Sequence, residues 1–401
     1  MTARGLENLP ERLLARLWRS RGGGATLRSP DGRLLRVLYP GRPGPGAGPD
    51  FRDAVLRVGG RLARGDVEVH RSPAGWQAHG HHLDPEYDHV VLHAVARPSS
   101  GPSRGLAAVE VLLGTLPPPS KSRGAPLLPP LLSLRSLPPE ALGRELDRAG
   151  DARFQGRSAV MAQDMEWQGT EQTLYCGLLD ALGYGGHREA FRELAHRMPV
   201  AVLRAAALAY PDGERRGVLE DLLLGTAGLV PPGPAWLRLA GGTPMEPRLW
   251  RSARGRPSNH PVDRLRGVAG LLSRFVGTGL AAGLEACVLS PGPTVLLESL
   301  TVRGTDGALI GRERAGDMAV NVVLPGLFAL ARASRRQRLM AACRSHYAEF
   351  PSLQENTLTR EARALLGASS LQAVPMNARR QQGLIHVYRQ MLAAAPRVTC
   401  L

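Results

Sequence analysis

The sequence predicts a mixed α/β domain followed by a mainly α-helical domain, and three observations carry that prediction. Apolar, β-branched runs gather in the first 115 residues, two of them flanking a Gly59-Gly60 turn. Prolines at 117, 118, 119, 126, 129, 130, 138 and 139 then prevent a continuous helix. Beyond them the apolar period is mostly near 3.6. The expected boundaries are an α/β domain over 1–115, a Pro-rich linker over 116–140 and a helical domain over 141–401.

In chain order, Asn8 to Trp18 reads as a helix with Pro10 in its first turn and Leu13, Leu14, Leu17 and Trp18 on an apolar face. Arg33 to Tyr39 reads as a strand, and the Gly/Pro-rich stretch from Pro40 to Pro49 as a loop. Ala54 to Val58 and Arg61 to His70 form the two arms of a hairpin. Val90 to Ala96 and Ala107 to Leu113 supply two further strands. In the second domain, helices are expected over 170–182, 188–197, 200–209, 217–224, 262–275, 320–332, 335–350, 359–366 and 377–392, with a strand over 293–303.

The 401 residues are 43% hydrophobic and 21% charged, ordinary values for a folded chain and against wholesale disorder. Gly (47) and Pro (33) together approach a fifth of the chain, which fits long loops and a linker. The formal net charge is +16, which favours polyanionic partners such as nucleic acid. Lys121 is the only lysine, so arginine supplies nearly all of that charge, a bias that GC-rich coding also produces. No run approaches the roughly 20 apolar residues of a membrane helix, and Glu7, Pro10, Glu11 and Arg12 interrupt any leader-like start. A cytoplasmic location without membrane attachment is expected. Cys176, Cys287, Cys343 and Cys400 make no CxxC pair, so reduced thiols are expected rather than a disulfide scaffold or zinc ribbon.

The chemistry concentrates between Gly48 and His93, which hold seven carboxylates and six of the eleven histidines. On a strand, side chains alternate faces, so Asp66, Glu68 and His70 share one surface while Val67 and Val69 take the other. Such a row faces solvent on an edge strand or surrounds a cation, because unpaired buried carboxylates repel one another. Asp50 begins the partner strand and Glu11 sits on the first helix, so carboxylates from three elements can meet. Oxygen ligands of this kind suit Mg²⁺ or Mn²⁺. Phe51 and Trp76 offer apolar walls. Asp53 caps a strand or pairs with an arginine, or else supports the site from outside; His79 and His81 are placed as outer partners. His93, inside a strand, reads as a hydrogen-bonded core residue. In the helical part, Arg248, Arg251, Arg254 and Arg256 beside Trp250 suggest a phosphate-tracking patch with one stacking aromatic, or a solvated basic loop.

Pro49-Asp50, a strand, a turn and Glu68-Val69-His70 resemble the PD-(D/E)XK nuclease superfamily. That resemblance implies a mixed sheet with a flanking helix, and a metal held by Glu11, Asp50 and Glu68, with Asp66 completing the coordination. It puts His70 where the superfamily carries a lysine, with a role in orienting water, in stabilising negative charge or in ligating metal. A longer resemblance joins Glu11 to Trp18, Gly48-Pro49-Asp50-Phe51, Gly65 to His70, Trp76 with His79-Gly80-His81, Asp84-Pro85, Arg256-Pro257 and Gln381-Gln382-Gly383-Leu384 to the bacterial family called domain of unknown function 2851. The expected function is Mg²⁺- or Mn²⁺-dependent cleavage of DNA or RNA at Asp50, Glu68, His70 and Glu11. Its rivals are a nucleic-acid-binding protein that has lost catalysis, and a metallohydrolase of a small substrate using His79, His81 or His82 with Asp84.

Overall fold

Gly59 and Gly60 both take positive φ, and that tight reversal lets two long strands zip together as a hairpin. A computed structural model describes residues 6–29, 32–44, 48–98, 108–118, 133–184, 186–240, 242–250, 260–305, 307–367 and 371–400. The chain divides into two units. The first comprises Met1–Glu145, Glu355–Pro375 and Leu384–Leu401; the second comprises Leu146–Gln354 and Met376–Gly383.

The first unit is built on a mixed sheet. Its strands are β1 (Thr26–Arg28), β2 (Leu34–Tyr39), β3 (Arg42–Pro43), β4 (Phe51–Val58), β5 (Arg61–His70), β6 (Val90–Val95) and β7 (Val109–Leu112). The spatial order is β1-β2-β4-β5-β6-β7, with β3 paired to β4. The strands from β1 to β5 pair antiparallel, whereas β5, β6 and β7 run parallel. Parallel strands are covered on both faces, and accordingly residues 65–70 of β5 and all of β6 are buried. The stretch expected to be an irregular loop therefore contributes β3, a two-residue strand docked on the start of β4.

Helix α1 (Glu11–Arg21) covers this sheet with the face expected from its spacing, and the short α2 (Ala74–Ala78) lies between β5 and β6 in the chain. Leu14 and Trp18 are fully buried among Leu27, Val37, Phe51, Leu56, Val67 and Val69. Each such side chain contributes about 1.5–3 kcal/mol. The Trp18 indole donates to the Pro40 carbonyl at 2.9 Å, so its one polar atom is satisfied. The C-terminal segments join this unit through the sheet edge and its margin: Arg64 N–H donates to Pro396 O and Val398 N–H to Arg64 O. Tyr39 donates to Glu361 at 2.9 Å and lies 3.1 Å, oxygen to oxygen, from Tyr388.

Among its described residues, the second unit is helical apart from one hairpin. Its helices are α3 (Pro139–Leu182, interrupted at Gly169 and beginning just before the unit), α4 (Arg188–Arg197), α5 (Val200–Leu208), α6 (Asp212–Ala227), α7 (Pro234–Leu239), α8 (Pro261–Ser273), α9 (Leu280–Leu289), α10 (Thr294–Leu300), α11 (Arg312–Met318), α12 (Leu324–Ala333) and α13 (Gln337–Glu349). Of the last two helices, α14 (Thr357–Leu366) belongs to the first unit, and α15 (Ala378–Ala393) begins in the second and ends in the first. The expected strand over 293–303 is instead α10 followed by the short strand Val302–Gly304, which pairs with Gly307–Ile310. Thr294 to Leu300 is an apolar run too short for periodicity to separate helix from strand. One helical run, Arg312–Ala333, does reach membrane-spanning length, at mean hydropathy 1.2. Since 78% of its apolar window is buried inside the protein, its hydrophobicity is that of a core helix.

Gly65 packs against the start of β6 and the residue before it. A methyl group there would meet Val91 Cγ1 at 2.4 Å and the His89 carbonyl at 2.9 Å. Gly65→Ala is therefore expected to lower unfolding stability by about 1–3 kcal/mol through overpacking, read by urea denaturation. An unchanged midpoint would mean that the parallel β5–β6 contact is looser than described.

Candidate metal centre

Asp50 and Glu68 meet because β4 and β5 pair antiparallel with Phe51 opposite Val67. Gly48, at φ 82°, turns the chain in the left-handed region, and Pro49 then delivers Asp50 to the start of β4. The two acids are locked reciprocally: Asp50 N–H donates to Glu68 Oε2 at 2.9 Å, and Val69 N–H donates to Asp50 Oδ2 at 3.2 Å. Glu11, on the first turn of α1, accepts from Arg71 N–H at 3.3 Å.

Charge repulsion marks the three carboxylates as a group. Burial pushes Glu68 up to about 8, and the neighbouring charges of Asp50 and Glu11 add to that. Burial also pushes Asp50 up to about 6, with Glu11 raising it further against the Val69 hydrogen bond and His79. Among the described residues, no lysine or arginine holds either group ionised. Buried carboxylates in this state are stabilised by a cation.

Four imidazoles lie beside Glu68. His70 Nδ1 is 2.8 Å from His93 Nε2, and His70 Nε2 is 3.1 Å from His79 Nδ1. Glu68 Oε1 is 3.5 Å from His70 Nε2 and 3.3 Å from His81 Nε2. Burial holds His70 down to about 3 and His93 down to about 4, with the neighbouring imidazoles adding to both effects, so both are neutral near pH 7. His70 therefore supplies no positive charge at the position where the resemblance expects a lysine. Tyr87 stacks on His81 at 3.8 Å between ring centroids, and the buried Trp76 stands edge-on to His81 and Tyr87. Thus Glu11, Asp50, Glu68, His70, His79, His81 and Trp76 converge.

Asp66 is engaged elsewhere. One of its oxygens accepts from Asp53 N–H at 2.9 Å and the other from Arg397 at 3.2 Å. The cause is a bulge in β4: register shifts between Phe51 and Ala54, and Asp53 sits at φ 62°, the left-handed region. Asp53 itself pairs with Arg42 at 3.2 Å and Arg64 at 4.0 Å. Both aspartates serve to hold the bulge.

In the second unit, Arg248 pairs with Glu246. Arg251, Arg254 and Arg256 lie outside the described residues. Trp250 is not the exposed stacking platform expected of it. It is buried against Phe191, its indole donating to Ala227 O at 2.7 Å.

The His70–His93 contact escaped the sequence reading. It arises because β5 and β6 are adjacent and parallel, and that adjacency depends on the crossover over 71–89, which holds only the short helix Ala74–Ala78 and two single 3₁₀ turns. The histidines and the strand that carries His93 were visible signals; the parallel pairing of that strand with β5 was not.

Residues 11–100 match the model of a family described as a protein of unknown function, DUF2851. The chain is similar to that family over the stretch that contains every residue of the cluster. No curated protein and no solved structure matches it.

The raised Glu68 fixes a stability slope. Between its ordinary value of 4.5 and about 8, the folded state keeps a proton that the unfolded state releases, so stability falls as pH rises. His70 and His93 act in the opposite direction, below pH 6.5, where the unfolded chain takes up protons that the folded chain refuses. In chelator, stability should therefore drop by about 1–2 kcal/mol from pH 6.5 to 8. Glu68→Gln should flatten that drop in urea titrations at the two pH values, and a slope that persists in the variant would refute the assignment.

Proposed function

We propose that the N-terminal unit is a divalent-metal-dependent phosphodiesterase acting on nucleic acid, with Asp50, Glu68 and Glu11 holding the ion. The observation that carries this reading is the meeting of the buried Glu68 with the half-buried Asp50, with no lysine or arginine among the described residues paired to either, which leaves two partly suppressed negative charges for a cation to release. Carboxylate donors fit Mg²⁺ or Mn²⁺. The net charge of +16 favours a polyanionic substrate, and the Pro49-Asp50 and Glu68-Val69-His70 pattern supports the PD-(D/E)XK comparison.

A bound divalent ion supplies acidification of water and shielding of phosphate charge. The protein's own residues prepare the place. The Val69 N–H fixes one Asp50 oxygen and the Asp50 N–H fixes one Glu68 oxygen, so neither carboxylate needs to reorganise. Arg71 N–H holds Glu11 toward the same point. The rings of Trp76 and Tyr87 pack edge-to-face beside His81 and wall one side. His70, neutral and flanked by His93 and His79, brings no positive charge to the site.

The purified chain should nick or degrade DNA or RNA with Mn²⁺ or Mg²⁺. Asp50→Asn and Glu68→Gln should each lower the rate by about 10²–10³-fold or more while leaving the circular dichroism spectrum intact. Cleavage indifferent to both changes, or none with either metal on single- and double-stranded DNA and RNA, would end the proposal.

A further inference from the structure

We infer that His70, His79 and His81, together with Glu68, form a second cation site, one that takes a transition-metal ion of the Zn²⁺ or Co²⁺ type. Ring nitrogens of the three histidines lie within 4.8 Å of one another. At metal–nitrogen distances of about 2.0–2.1 Å, tetrahedral ligands stand roughly 3.3 Å apart. Three separations in the cluster already have that length: 3.1 Å from His70 Nε2 to His79 Nδ1, 3.3 Å from His81 Nε2 to Glu68 Oε1, and 3.5 Å from His70 Nε2 to Glu68 Oε1. His79 is exposed and free to close the remaining distances by rotation.

Two further observations point to a ligand. His81 Nε2 is buried and makes no hydrogen bond, a costly state for a polar atom unless something else completes it. His70 carries the outer partner usual for a metal-bound imidazole, since His93 Nε2 stands 2.8 Å from its other nitrogen. With the His70 proton on Nδ1, where His93 accepts it, the Nε2 lone pair faces the cluster. The local backbone serves the same arrangement. Gly80, at φ 73°, reverses the chain between His79 and His81, so that both rings return to His70. Gly75 leaves the His70 ring its room, because a methyl group there would stand 2.8 Å from the imidazole.

Imidazole-rich donors select Zn²⁺, Co²⁺ and their neighbours over Mg²⁺. Glu68 has one oxygen directed to each side: Oε2 toward Asp50 N–H and Oε1 toward the imidazoles. It is the residue that two cations would share. The histidine site does not depend on phosphodiester cleavage and survives if that reading fails.

The full-length protein, stripped with chelator, is titrated with Co²⁺ alone and followed by visible absorption, with Zn²⁺ then added as competitor. One tight Co²⁺ per chain is expected, with the intense d–d bands of four-coordinate geometry that Zn²⁺ abolishes. His79→Ala and His81→Asn lie outside the core and should each weaken binding by at least about 10–100-fold. Asp50→Asn should retain the bands even though it disables the carboxylate site. Absence of four-coordinate bands, unchanged affinity in both histidine variants, or loss of the bands in Asp50→Asn would each overturn the inference. Nucleic-acid cleavage is measured separately on the same samples, so that failure of catalysis is not mistaken for failure of this site.

Discussion

A buried carboxylate, Glu68, and a half-buried one, Asp50, meet at the open end of the β4–β5 hairpin, and the rest of the site is arranged around that constraint. An isolated carboxylate taken from water loses most of its solvation, and a second one beside it compounds the cost. Here two backbone N–H groups partly restore what water gave: that of Asp50 itself donates to Glu68, and that of Val69, next to Glu68, donates to Asp50. Backbone donors orient an anion without neutralising it. The local charge remains, and a cation is the natural complement.

The fold keeps that arrangement in place by covering it from several directions. α1 contributes Glu11 from the same helix whose Leu14 and Trp18 fill the core, so the helix cannot drift without exposing two large side chains. The bulge at Asp53 breaks the simple alternation along β4, and Asp66, Arg42, Arg64 and Arg397 pin it there. Beyond the carboxylates, the crossover from β5 to β6 is spent almost wholly on short turns that bring His79, His81, Trp76 and Tyr87 back over Glu68 and His70. The outcome is an oxygen-rich half and a nitrogen-rich half that share one glutamate.

Much of this was legible in the sequence. The hairpin around Gly59-Gly60, the strands over 90–96 and 107–113 and the amphipathic first helix all carry strong local signals, and the structure places each within a few residues. The hairpin brings Asp50 and Glu68 to the same end of the sheet, but their direct apposition depends on the bulge: the turn's register alone, with Val58 opposite Arg61 and Ala54 opposite Gly65, would carry Asp50 to Val69. What stayed hidden depends on partners distant along the chain. Asp66 looked like a third ligand because alternation puts it in line with Glu68, but the bulge and Arg397, from the far C-terminus, draw its oxygens away. The long α3 was missed upstream of Thr170 because that stretch mixes glycines and charges and shows no clean apolar stripe. Trp250 looked exposed beside its arginines, whereas its indole fits a pocket lined by Phe191. The joining of His70 to His93 required knowing that two strands separated by a winding crossover lie side by side.

The central claim is that Asp50 and Glu68 grip a common cation. The most direct measurement is a crystal structure of the protein soaked in Mn²⁺, with diffraction recorded at the manganese absorption edge. The account predicts an anomalous peak within ligand distance of one oxygen from each of these two side chains. A site that stays dark at saturating Mn²⁺, with the two carboxyls hydrogen-bonded directly to each other through a shared proton, would contradict it.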